Sequence, residues 1–458
     1  MAHFPASPFR VELGATLRLA GPLALANLLQ MSVYATDVIF IARLGTEPLA
    51  ASSLTTALLG LMVWAFSGLT GAAAPLIAAE LGRRRHAVRQ VRRTVRMALW
   101  LAVLCGLLGL AVCQFGEAML LALGQQAAIA ARAGPFMAIL GIAILPQVAC
   151  NVLRIYVAAL GRPVVATVII ALAIAINVLG NYLLVFGHFG APRLGFEGSA
   201  WATVITSFAT LAAYVLVIRF SRRLGRYRIF GRWWRAEWTR LREILRIGLP
   251  IGLIVLAEGG FFGAAAFLMG MIGAPQLAAH TIALQVAALF FQIPFGIAQA
   301  ATIRVGFHFG AGDTAGVGRA GMAALFTCLL FQMAGAGVML FAPRLVLSAY
   351  IDVAAAANAQ VVTYAVTYLM VAAAFQLFDG IQAVAAGLLR GLQDTRQPMV
   401  FALFGYWIVG FTTAATLGFA TRLQGLGVWI GLAVGLVVVA GLLLLRWQRR
   451  AALGLLAG

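Results

Sequence analysis

The sequence predicts an all-α polytopic membrane protein, with twelve transmembrane helices in two six-helix lobes related by pseudo-two-fold symmetry along the membrane normal. Three observations carry this expectation. The chain is 63% hydrophobic and only 10% charged over 458 residues, outside the range of globular domains. Twelve apolar runs are each long enough for a helix crossing about 30 Å of hydrocarbon, which takes about 20 residues. Landmarks of the first half also recur in the second, the mark of an internal repeat.

The runs justify the helices one by one. The first, near 15–42, holds Pro22, Gln30 and Asp37; the second, 50–80, ends at a loop crowded with Arg83, Arg84, Arg85, Arg89, Arg92, Arg93 and Arg96. The third (95–115) and fourth (131–160) carry Cys105, Cys113, Pro146, Cys150 and Arg154 among apolar neighbours. The fifth, 164–187, brings Asn177 and Asn181, which at i, i+4 share one helix face, and the sixth, 197–220, brings Thr203. A segment from Ser221 to Glu243, rich in arginine and containing Trp233, Trp234 and Trp238, follows. It reads as a linker at the cytoplasmic interface, where tryptophans anchor.

In the second half, 244–273 holds Pro250 and Glu258, and 277–309 holds His280, Gln285, Phe291, Gln292 and Pro294. Then come 318–341, 360–390 with Phe375, Asp379 and Gln382, and finally 398–420 and 424–446. The prolines are expected to kink helices where movement is needed, or simply to be tolerated there.

A shift of 228 residues places Leu17, Arg18 and Pro22 on Leu245, Arg246 and Pro250, and Gly45 on Gly273. Six helices per repeat make both halves enter from the same side, so the repeats are parallel. The expected lobes are 1–231 and 232–458.

Net charge +20 raises the question of nucleic acid, but all 33 cationic residues are arginines that cluster in the even-numbered loops and at the C-terminus. That is the positive-inside pattern; it predicts both termini in the cytoplasm and no nucleic-acid partner. The opening MAHFPASPFR carries no cleavable apolar core, so no removed signal peptide is expected. Cys105, Cys113, Cys150 and Cys328 have no paired spacing and read as small core residues.

Only 13 acidic residues occur, and most fall in loops or at helix ends. Asp37, Glu258 and Asp379 do not. A carboxylate at the middle of a spanning helix costs about 2.5–3.5 kcal/mol on insertion scales, so these three are the candidates for ion coupling. Under the 228-residue shift Asp37 aligns with Ala265 and Glu258 with Gln30, and under a shift of 235, which places Gln147 on Gln382 and Pro163 on Pro398, Asp379 aligns with Ile144, so each lobe acquired its charge separately.

The strings GLPIGLIVLAEGG from Gly248, LAAHTIALQVAALFFQIPFGIAQAATIRVGFHFGAGD from Leu277 and FQLFDGIQAVAAGLLRGLQDTRQP from Phe375 closely resemble the multidrug and toxic compound extrusion (MATE) family, NorM-like branch. LAGPLALANLLQMSVYATDVIFIARLG and LGFEGSAWAT in the first half extend the likeness over essentially the whole chain. The resemblance implies a cation-coupled antiporter, driven by Na⁺ or H⁺, that exports amphipathic, often cationic drugs by alternating access and confers antibiotic resistance. It implies no cofactor, no enzymatic activity and a monomer in the lipid bilayer. The family's acidic positions fall on Asp37, Glu258 and Asp379.

With Asp37, the residues Asn177, Asn181 and Thr203 form a polar cluster whose oxygens suit a hard cation or a proton; a second Na⁺ position is Glu258 with Asp379. Some relatives place a tyrosine near the tenth-helix acid, whereas Phe375 stands one turn before Asp379, which weakens a second sodium cage. Gln30, Gln285, Gln292, Gln382, Phe291 and Phe375 are expected along the substrate pathway. Mid-helix amides, Gln299 and Gln376 among them, also commonly bond between helices, and both readings stand. His280 and His308 lie near helix ends and are expected to be solvated or to cap. A flippase for lipid-linked saccharides is the alternative transporter, but it needs a basic cavity, and only Arg154 and Arg304 approach helix interiors. An integral membrane enzyme acting on lipid precursors is the alternative of another class; no phosphate loop, zinc motif or paired interfacial carboxylates support it.

Overall fold

The computed structural model describes residues 8–84, 86–231 and 233–456. Among these, twelve helices are long and apolar enough to cross a membrane: α1 (Pro8–Ala42), α2 (Thr46–Arg83), α3 (Ala87–Cys113), α4 (Ala127–Ala159), α5 (Pro163–Phe186), α6 (Phe196–Phe220), α7 (Trp238–Ile272), α8 (Ala274–Gly310), α9 (Thr314–Phe341), α10 (Ala356–Gly391), α11 (Arg396–Phe419) and α12 (Gly425–Gln448). No strand occurs among the described residues, as expected where every backbone polar group must be paired within its own segment.

The helices begin earlier than the apolar runs. Helix α1 starts at Pro8 and α7 at Trp238, seven and six residues before the runs at 15 and 244. The added turns carry Glu12, Arg240, Arg242 and Glu243, and α1 and α7, at 35 residues each, are about 52 Å long at 1.5 Å per residue. Charged turns outside the hydrocarbon keep helical hydrogen bonding, and ion pairs such as Arg304–Glu12 and Arg240–Glu80 satisfy their side chains, so hydropathy marks the hydrocarbon span and not the helix. Pro22, Pro250 and Pro294 all lie inside continuous helices.

Packing divides the chain into two compact units, one of Leu25–Gly252 and one of Met1–Ala24 with Leu253–Gly458. The divisions fall inside α1 and α7, and 253 − 25 is 228, the repeat shift. The repeats follow one another along the sequence, whereas each packing unit takes the opening turns of its first helix from elsewhere in the chain.

In the unit 25–252, Gly106 and Gly109 of α3 lie directly against Leu145 and Ile144 of α4, with no space for a Cβ. Tyr156 of α4 is fully buried and donates to the Leu224 carbonyl at 2.6 Å. The linker is held by charge: Arg93 and Arg96 both bond Glu237, while Arg240 reaches Glu80 at 3.1 Å and Glu243 at 2.6 Å. Trp100 donates to the Trp233 carbonyl at 3.1 Å, and Trp234 is left exposed.

In the other unit, Gly387 and Gly391 of α10 meet the Ala298 backbone and Val305 of α8. Small residues of this kind let membrane helices approach closely. Helix α11 changes pitch to a π-helix at Phe404–Phe411. The wider turns fit because Gly405 and Gly410 have no side chains to meet Val439 and Gly435 of α12. Such π segments often re-aim side chains at functional sites. Glu12 accepts two bonds from Arg304, at 2.7 and 2.6 Å.

Candidate functional site

Asp37 lies near the end of α1, and α5 and α6 bring three neutral donors to it. Asn177 and Asn181 donate to Oδ1 at 3.0 and 2.7 Å, and the Thr203 hydroxyl donates to Oδ2 at 2.8 Å. The i, i+4 spacing on α5 puts both amides on one face, as expected, and both asparagines are fully buried. Helices α5 and α6 come together where Gly180 rests on Ala202, next to Thr203. All four residues of the expected first cluster therefore meet.

Among the described residues no arginine or histidine forms an ion pair with Asp37. The carboxylate opens on a cavity of about 30 Å³ lined by Tyr34, Ser52, Thr56, Ser199 and Thr203 among others. That volume is on the scale of a single water or a bare ion. One negative charge, surrounded by amide and hydroxyl oxygens, suits a hard cation or a proton. The buried Asn181 Oδ1 has no hydrogen-bond partner and is an acceptor in reserve. Tyr34 and Ser199 carried no sequence signal, because a lone hydroxyl on an apolar helix looks like any tolerated polar residue.

In the other unit, Gln382 of α10 donates to Glu258 Oε1 of α7 at 3.1 Å. Gln382 lies one turn from Asp379 on α10, and the two carboxylates are close enough to repel one another. Asp379 is 6% exposed and its Oδ1 has no hydrogen-bond partner. Sequence reasoning missed two further groups. The guanidinium of Arg390, three turns along α10 from Asp379, lies within electrostatic reach of Glu258; its i+11 spacing was a legible signal. The fully buried Tyr406 hydroxyl lies within reach of both carboxylates and has no hydrogen-bond partner. It comes from the π segment of α11, where its ring stacks on Phe261 at 5.4 Å. A phenol is thus present beside the two acids, supplied by another helix than the one on which Phe375 takes its place.

The remaining expected pathway residues divide. Phe375 is 1% exposed and packs edge-on against Phe262 and Trp429, so it is core. Gln292 is buried and donates to the Ala288 carbonyl of its own helix at 3.1 Å. Gln376 and Gln332 exchange bonds with each other's carbonyls, joining α10 to α9, which is the interhelical reading. Gln285 is exposed, Gln30 is half-buried, and Phe291 stacks on Phe295 at 5.9 Å. His280 departs from the expected solvated role: its ring is fully buried against Trp429, and neither nitrogen has a partner. His308 instead joins Glu12 and Asp313, each at 3.1 Å. All four cysteines are free thiols. The described residues hold no cluster of three or more His, Cys, Asp or Glu able to bind a metal.

The MatE family model matches residues 22–183 and 250–416; the two matches begin 228 residues apart, the repeat shift found in the sequence. The chain is 46% identical to a Mesorhizobium japonicum protein named "Probable multidrug resistance protein NorM", covering 98% of this chain and 96% of the relative. A Brucella suis protein of the same name is 42% identical over 96% of this chain and 94% of its own length. Among solved structures, a MATE in complex with MaL6 superposes with a TM-score of 0.86 at 21% identity, covering 98% of both chains. An outward-facing multidrug resistance MATE family transporter of the MOP superfamily does so with 0.86 at 21% identity, covering 97% of this chain and 96% of that one. At that identity the structural likeness speaks for the fold.

Proposed function

Because the chain belongs to the MatE family, we propose that it is a cation-coupled antiporter exporting amphipathic, often cationic compounds across the bacterial inner membrane, with both termini cytoplasmic. The NorM names of its relatives support the multidrug substrate class. One observation carries the coupling: the Asp37 carboxylate is held by the neutral groups of Asn177, Asn181 and Thr203, and among the described residues no cation pairs with it, which leaves its charge to an exchangeable cation.

A carboxylate in a low-dielectric interior favours having a proton or a metal ion bound. Loading it from the extracellular side and unloading it inside favours, in turn, the outward-releasing and inward-accepting states. This moves the equilibrium only if the cation binds the two states with different affinity. Glu258, Asp379, Gln382 and Tyr406 form a second such group in the other unit. Its two acids offer carboxylate oxygens from α7 and α10 to one exchangeable cation.

The test imposes an inward Na⁺ gradient or an inward H⁺ gradient, one at a time, on proteoliposomes and follows dye movement. The proposal expects one of the two to drive export, and expects Asp37→Asn to abolish that drive. Equal dye movement in the parent and in Asp37→Asn, Glu258→Gln and Asp379→Asn would falsify it.

A further inference from the structure

Arg154 of α4 is a cation inside a spanning helix. Its Nη1 donates to Asn27 Oδ1 and its Nη2 to Asn151 Oδ1, both at 3.1 Å, and among the described residues no acid forms an ion pair with it. The other interior arginines differ, since Arg304 is bonded twice by Glu12 and Arg390 lies in reach of Glu258. A guanidinium carries five N–H donors, and two bonds leave three of them.

The surroundings add unpartnered donors. Asn27 is 5% exposed, and its Nδ2 has no partner. Tyr214 of α6 is 1% exposed, its hydroxyl has no partner, and it lies within electrostatic reach of the guanidinium. Asn151 is committed, because its Nδ2 donates to the Ser67 carbonyl at 3.1 Å and to Thr70 Oγ1 at 3.3 Å. That bonding turns Oδ1 toward Arg154 and holds the guanidinium in place. Buried polar groups are almost always satisfied, and an interior charge at membrane depth marks a ligand or a partner. A cluster in which a half-buried guanidinium carries one net positive charge and the buried Asn27 and Tyr214 hold spare N–H and O–H groups fits an anion. Planar, forked N–H donors match a carboxylate best.

We propose that Arg154, with Asn27 and Tyr214, is a subsite that binds a carboxylate on the transported molecule, so that the protein prefers substrates bearing a free acid over their neutralised counterparts. Tyr34 lies within electrostatic reach of both Arg154 and Asp37, so the two opposite charges flank one phenol without pairing. The subsite rests on the export reading only in taking a small amphipathic molecule as its ligand. Binding is measured at equilibrium without gradients, so failed coupling leaves this test standing, and a failed subsite leaves coupling standing.

The experiment compares two probes that differ by one group, a rhodamine with a free carboxylate and its methyl ester. Each is titrated by fluorescence anisotropy into the purified full-length protein in uncharged detergent. The parent should prefer the acid roughly tenfold, as expected for a charge-assisted bond. Arg154→Gln should bring the affinity ratio close to one, and Arg154→Lys should keep an intermediate ratio. An unchanged ratio in Arg154→Gln, or no preference in the parent, overturns the proposal. Should Arg154→Gln bind neither dye, the isosteric Tyr214→Phe decides: a reduced preference for the acid supports the subsite, and an unchanged one overturns it. If added phosphatidylglycerol abolishes the preference in the parent, the site belongs to a lipid phosphate and the substrate reading falls.

Discussion

Asn181 donates to Asp37 Oδ1 at 2.7 Å while its own Oδ1 stays buried without a partner. One amide thus fixes the carboxylate and offers a spare acceptor beside it. Asn181→Leu keeps the bulk and removes both roles. We expect it to lower cation-driven dye export roughly tenfold or more, the scale of one lost bond to a charged group. The check is transport rate against cation concentration; a parent-like curve contradicts the assignment.

Gln382 is the shared neighbour of Glu258 and Asp379. Replacing it by Leu leaves two buried acids with one fewer donor, at about 1–3 kcal/mol. The expected result is weaker coupling with normal membrane insertion, read as a shifted cation dependence of export. Tyr406→Phe should act in the same direction and more mildly, because the ring packing on Phe261 survives.

The buried Glu12 and the half-buried Arg304 form a pair with two bonds. Arg304→Met alone leaves the Glu12 charge facing His308 only, and with one partner half-buried such a break costs about 1–3 kcal/mol, less than for a fully buried pair. Glu12→Leu combined with Arg304→Met should recover much of that loss. Thermal unfolding in detergent measures both, and a double variant no better than Arg304→Met contradicts the pairing.

Asp313 accepts from the Gly316 N–H at 2.7 Å and caps α9. That bond, helped by His308 and Arg319 nearby, holds its carboxyl below the usual carboxylate range. A depressed folded value means the contribution is present above the unfolded value of about 3.9 and is lost as pH falls through the folded one. Asp313→Ala should therefore cost about 1 kcal/mol at neutral pH. The gap from the parent should close in strong acid; a gap of the same size there contradicts the capping role.

Close approach gives a further check. The Gly387 position faces the Ala298 backbone with no space for a Cβ. Gly387→Val must push α10 from α8, at roughly 1–3 kcal/mol for overpacking. Gly263, which meets nothing within 4 Å, should tolerate Ala with little loss of thermal stability.

The twelve helices and the repeat were legible because both are written in one dimension, as runs of apolar residues and as a fixed offset. The first cluster was legible for a local reason: Asn177 and Asn181 share a helix face by spacing, and Asp37 is conspicuous by its cost. Tyr406 was hidden because its aim depends on the π segment of α11, and local pitch is not encoded in hydropathy. His280 misled because nearness to a helix end in sequence says nothing about the neighbouring Trp429 that buries it. The opening turns of α1 and α7 were missed because hydropathy ends at the hydrocarbon, whereas backbone hydrogen bonding continues past it.

The most direct measurement follows the cation rather than the drug. Purified protein in liposomes is given a gradient of dye alone, and the movement of sodium and of protons is recorded. The account predicts that dye flowing down its gradient drives one of these cations in the opposite direction in the parent, and drives none when Asp37, Glu258 and Asp379 are replaced together by Asn, Gln and Asn. Dye crossing through the parent with neither cation moving would contradict it.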